Sequence, residues 1–177
     1  MKKLKTRRIL TLGIMLIALF ALVSSCSKDD EIAADYIGTW VTYTTIDDGL
    51  EPDGREAKVT MTFTANSFNN LFQVKDATTG NWVDYFAMKG SLSVTNQLIT
   101  GTTTEIGLGI DLITGEPTGT MTFYKAGSPY FDLYMEDSDV TFNFEYSVSG
   151  NTLTLKTDDN NDGDYLDEGE TETLTRQ

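Results

Sequence analysis

Apolar and polar positions alternate without a break over residues 57–64, where Ala57, Val59, Met61 and Phe63 face one way and Lys58, Thr60, Thr62 and Thr64 the other. A period of two predicts an antiparallel strand with one dry face and one wet face. The same signal recurs on both sides. Tyr36 to Thr44 is dense in β-branched and aromatic residues and ends at Asp47, Asp48, Gly49, Pro52, Asp53 and Gly54, a strand followed by turn formers. Phe68 to Lys75 puts Phe68, Phe72 and Val74 on a face that Asn70 interrupts, and Thr78-Thr79-Gly80-Asn81 turns the chain. Trp82 to Thr95 carries Trp82, Phe86, Met88, Leu92 and Val94 on one side, with Gly90 as an expected bend or bulge. Asn96-Gln97 turns into Leu98 to Glu105.

Ile106 to Pro117 is broken by Gly107, Gly109 and Gly115 and reads as a mobile loop over an opening. Met121 and Phe123 lead another strand. Phe131, Leu133 and Met135 alternate with Tyr130, Asp132, Tyr134 and Glu136, which predicts a further one, and Val140, Phe142, Phe144, Tyr146 and Val148 continue the pattern. Ser149-Gly150-Asn151 makes a hairpin into Leu153 and Leu155, and Thr171 to Arg176 supplies the last strand. No helical period is visible after residue 36. The expectation is an all-β fold, an antiparallel meander closing into a barrel of roughly eight to ten strands, with a β-sandwich as the alternative. Pairing of the first and last strands would mean a barrel; two packed sheets with free edges would mean a sandwich.

The N-terminus breaks this pattern. Lys2, Lys3, Lys5, Arg7 and Arg8 precede an apolar run from Ile9 to Val23 and the small pair Ser24 and Ser25. That is the order of a secretory signal. The run would span ~22 Å as a helix, short of the ~30 Å hydrocarbon core of a bilayer, so a cleaved signal fits better than an anchor helix. Val23-Ser24-Ser25-Cys26 resembles the lipobox of bacterial lipoproteins, which implies cleavage before Cys26 and acylation of its thiol by palmitate-type chains. The chain then divides into a signal peptide (1–25), an acidic tether (26–35) and a barrel domain (36–177). Ser27-Lys28-Asp29-Asp30-Glu31 is similar to the acidic signal that routes some lipoproteins to the outer face of the outer membrane. Display at the cell surface is therefore the expectation, with the periplasmic face as the alternative.

Charge and composition narrow the function. The first 25 residues hold five of the thirteen Lys and Arg and none of the 27 Asp and Glu, so the remaining 152 residues carry 8 basic and 27 acidic side chains, a net charge of −19. Such a balance argues against nucleic acid as a partner. Histidine is absent and Cys26 is the single cysteine. His-dependent nucleophilic catalysis and thiol chemistry are thereby excluded, and a non-catalytic protein is expected.

Four stretches then resemble the lipocalin-like domains of small bacterial envelope lipoproteins: Gly38-Thr39-Trp40; Val59 to Ala65 running into Asn66-Ser67-Phe68; the hairpin Tyr146 to Leu153; and Leu174-Thr175-Arg176. The resemblance implies that Trp40 plugs the closed end of a barrel and that Arg176 packs across it, both as structural residues.

Two sites are candidates. The first is a barrel interior lined by Met61, Phe63, Phe86, Met88, Met121, Phe123, Phe131 and Phe142. Methionine adapts to irregular shapes, which suits a tolerant pocket for a small hydrophobic molecule; the other reading is that these side chains fill the core and the domain serves as a non-catalytic surface subunit. The second is calcium, on Asp158, Asn160, Asp162 and Asp164 with Glu168 or Glu170 completing the set, since alternate oxygens before Gly163 have the spacing of a calcium loop. The twelfth position is Gly169 where a bidentate Glu would be expected, and a solvated acidic hairpin loop without metal is the alternative. If the fold were a sandwich, a surface adhesin or glycan-binding module would be the alternative, with Tyr130, Tyr134, Tyr85 and Trp82 stacking on sugars.

Overall fold

The computed structural model describes residues 34–46, 54–135, 140–157, 165 and 170–177. Nine strands are described: β1 (Gly38–Ile46), β2 (Arg55–Phe63), β3 (Ser67–Lys75), β4 (Trp82–Thr95), β5 (Leu98–Ile110), β6 (Pro117–Lys125), β7 (Thr141–Ser149), β8 (Thr152–Lys156) and β9 (Thr171–Arg176). One short helix, α1 (Pro129–Tyr134), lies between β6 and β7.

The strands run in the order β4-β3-β2-β1-β9-β8-β7-β5, all antiparallel, and β4 pairs with β5 to close a ring of eight with β6 outside it. First and last strands meet at Trp40↔Arg176 and Val41↔Thr175. One closed sheet excludes the sandwich. Alternation then decides what points inward: Trp40, Ala57, Met61, Phe63, Phe68, Val74, Leu92, Ile99, Leu153, Leu155 and Leu174 are all buried, and each sits on the inner side of its strand's register.

β5 carries two partners on one edge. Its residues 98–102 pair with β7 and its residues 105–110 with β6, while β4 occupies the other edge. Beyond Thr102 the wall therefore passes from β7 to β6, and α1 packs where they part. Phe131 and Met135 from this excursion join Ile106 and Leu108 in one buried cluster, flanked by Phe86, Met88, Tyr124 and Val140.

Three expectations from the sequence are corrected here. Residues 130–135 form a helix and its cap where alternation predicted a strand. Ser128 accepts a hydrogen bond from the Phe131 backbone N–H at 3.3 Å and Pro129 occupies the first turn, a helix-start arrangement. Phe131 and Met135 are four apart and share a helical face, whereas Leu133 between them is 63% exposed. Second, Ile106 to Ile110 continue β5 and are mostly buried, leaving only the turn 111–116 as a loop. The glycines are there because neighbours approach closely: a Cβ on Gly107 would stand 2.7 Å from the Met121 sulfur, and one on Gly109 2.1 Å from the Asp84 carbonyl oxygen. Third, Trp82 leaves the face of Phe86. The β3–β4 register shifts between Phe72↔Phe86 and Gln73↔Asp84, so Tyr85 is an extra residue and Trp82 pairs with Lys75 on the outer face. The irregularity expected at Gly90 is present: the register shifts between Lys89↔Glu105 and Gly90↔Thr103, with Thr104 as the extra residue on the partner strand.

The candidate ligand cavity

At one end the barrel is filled. Trp40 is fully buried, and its indole N–H donates to the Tyr36 carbonyl at 2.8 Å. The Arg176 guanidinium lies 4.1 Å from the centre of the Trp40 ring and donates to the carbonyls of Ile37 at 3.1 Å and Asp35 at 2.6 Å. A cation over an indole contributes about 0.5–2 kcal/mol, more when dry. Gly38 belongs to the same device: its φ is +143°, and a Cβ there would stand 2.9 Å from Arg176 Nη1. The Gly38-Thr39-Trp40 triplet is thus the space, the strand and the plug for one arginine. Tyr36 adds edge contacts to Phe63 and Tyr146.

Beyond this plug part of the interior is hollow. A cavity of about 360 Å³ is lined by Met61, Phe63, Phe68, Asn69, Asn70, Phe86, Met88, Thr103, Tyr134, Met135, Phe142 and Phe144. It adjoins a second hollow of about 420 Å³ that shares Met61, Asn70, Phe86 and Met88 and adds Val59, Phe72, Tyr85 and Glu172. These volumes are those of small-molecule sites. Phe142 and Phe144 stack at 4.9 Å, and Phe68 meets Phe142 edge-on at 4.9 Å, so this aromatic wall is braced. Gly101 leaves room for the Phe142 ring, which would stand 2.0 Å from a Cβ at that position.

The walls are apolar apart from a few groups, and those lack partners. Asn70 Oδ1 and Thr103 Oγ1 are buried with no hydrogen bond. Glu172 shares the inner face of β9 with Leu174, and among the described residues no donor reaches its carboxylate. Burial holds its carboxyl above the ordinary value of 4.5. Arg176 is four residues further along the same strand, about 13 Å away, and is committed to the plug.

Of the residues expected to line a pocket, Met61, Phe63, Phe86, Met88 and Phe142 do surround this cavity. The other three do not. Met121 and Phe123 belong to β6 and project on the outer face over Gly107, where Lys89 Nζ sits 3.6 Å above the Phe123 ring. Phe131 is buried in the α1 cluster. The sequence reading missed Phe68, Phe72 and Tyr134, and it passed over the polar groups Asn70, Thr103 and Glu172. Glu172 could have been found, because the alternation of Thr171 to Arg176 puts it with Leu174 and Arg176. Thr103 could not, since the extra residue Thr104 resets its face.

The tyrosines and tryptophan considered for sugar stacking are scattered. Tyr130 packs on Tyr124 at 4.7 Å, Tyr85 on Phe72 at 6.0 Å and Trp82 beside Tyr43 at 5.8 Å, while Tyr134 lines the cavity. Cys26, the tether up to residue 33, and Asp158, Asn160, Asp162, Asp164 and Glu168 lie outside the described residues. Glu170 is described: it is 3% exposed, and its backbone carbonyl accepts from Thr157 N–H at 2.9 Å. No protein-family model matches the chain, and a search of curated proteins finds no significant match.

Proposed function

We propose that this chain is a lipid-anchored bacterial envelope protein, held at the outer membrane through acyl chains on Cys26, whose barrel carries a small apolar molecule without transforming it. The observation that carries the binding half is the cavity of about 360 Å³ walled by Met61, Met88, Phe86, Phe142 and Phe144. A barrel of eight strands can fill its interior with its own side chains. Here one end is filled and a hollow remains beside Met61, Phe86 and Met88. The basic, apolar and small-residue order of residues 1–25 ahead of the single cysteine supports the anchoring half.

Native mass spectrometry of the protein extracted from its own envelope tests both halves. The expected spectrum shows a chain beginning at Cys26 with acyl mass added and a further non-covalent apolar ligand. A chain with an intact N-terminus and an unmodified thiol would overturn anchoring. A stripped spectrum, together with failure to bind any apolar fluorophore, would overturn the ligand reading.

A further inference from the structure

The cavity is apolar over most of its wall, and beside the Thr103 hydroxyl, which can donate or accept, it presents two acceptors. Asn70 Oδ1 is a pure acceptor, buried and without a donor. Glu172, across the hollow on β9, presents carboxylate oxygens, acceptors when ionised, that no described group satisfies. Asn70 lines both hollows, so the two acceptor groups border one space, together with Met61, Phe86 and Met88. An unmet buried acceptor such as Asn70 Oδ1 costs about 1–3 kcal/mol, and the Glu172 carboxyl stands half-buried at the edge of the same hollow.

We infer that the molecule held in the barrel is amphipathic and cationic, with a primary ammonium donating to Glu172 and Asn70 and an apolar body packed among Met61, Met88 and Phe86. This rests on the reading of the barrel as an apolar ligand site and names the class of ligand. Ammonium offers three donors and a positive charge to the Asn70 oxygen and the Glu172 carboxylate, whereas a hydroxyl offers one donor and a carboxylate none. A carboxylate ligand would also bring two negative charges together in a desolvated space. The net charge of −19 beyond residue 25 favours approach of cations and opposes that of anions.

Calorimetry on the full chain with three matched probes, naphthylmethylamine, naphthylmethanol and naphthoic acid, tests this. The expected order is amine first, alcohol about ten-fold weaker, acid weakest, with saturation at one amine per chain. Glu172→Gln should bring the amine to within about two-fold of the alcohol by lowering amine affinity far more than alcohol affinity, and Asn70→Leu should narrow the amine-to-alcohol ratio a few-fold. Acid binding as tightly as amine would overturn the inference, as would an amine-to-alcohol ratio indifferent to Glu172. Non-saturating amine uptake would mark binding at the acidic surface and overturn it too. Alcohol and acid binding without amine would sink the ammonium and leave the apolar pocket standing; no binding by any probe would sink both.

Discussion

The two ends of the barrel interior treat polar groups in opposite ways. At the plugged end the Trp40 N–H has a carbonyl, the Arg176 guanidinium has two carbonyls and an indole face, and Gly38 gives up its Cβ to make room. In the hollow, Asn70 Oδ1, Thr103 Oγ1 and Glu172 have no described partner. Both regions carry inward-facing polar side chains on neighbouring strands of one sheet. The difference is that the first region is complete by itself, and so reads as architecture, while the second is complete only with something added.

That contrast is broken most severely by removing the plug. Trp40→Ala should cost about 3–5 kcal/mol in a denaturant titration, because a fully buried indole leaves a cavity that three β-strands cannot collapse to fill. Arg176→Met should cost less, about 1–3 kcal/mol, since it keeps apolar cover over the indole but leaves the Ile37 and Asp35 carbonyls without their donor. Loss of ligand binding at unchanged stability in Arg176→Met would place Arg176 in the site and erase the distinction between the ends.

How much of this was visible beforehand depends on whether alternation survived intact. β4 and β9 begin and end where periodicity and turn residues place them, at Trp82, Thr95, Thr171 and Arg176. Trp40 and Arg176 were paired through a resemblance, and their contact has a physical basis in Gly38. Where the period was disturbed, reading failed in both directions. A single extra residue, Tyr85, sent Trp82 to the outer face, and Thr104 did the same service in hiding Thr103. Phe131, Leu133 and Met135 satisfy a period of two and a helical spacing of four at once, and only the Ser128-Pro129 start distinguishes them. The glycines of Ile106 to Ile110 looked like loop because what they accommodate, Met121, Phe123 and the Asp84 backbone, comes from other strands.

In the hollow the sign of the effect should reverse. A carboxyl whose pKa is raised by burial contributes its full stability below the ordinary value of 4.5 and loses it as pH rises through the higher folded value. Glu172→Gln removes that loss. Thermal melts of the ligand-free protein should therefore show the variant more stable than the parent at pH 7 and equal to it below the ordinary carboxylate range. A variant less stable at pH 7 would mean that Glu172 already has a partner in the fold. Asn70→Leu should follow the same logic with a gain or loss under about 1 kcal/mol, since it trades an unmet acceptor for apolar cover.

The smallest effect tests where the wall of the cavity ends. Leu133 is 63% exposed on α1, and its neighbours Tyr134 and Met135 line the hollow. Leu133→Ala should change stability by no more than about 0.5 kcal/mol and leave the affinity for an apolar fluorophore untouched. Met135→Ala, two residues on, should weaken that affinity several-fold, because its side chain meets both the Ile106 cluster and the cavity. If the two variants behaved alike, α1 would be covering the barrel without forming part of its inner surface. The hollow would then be bounded by strands alone.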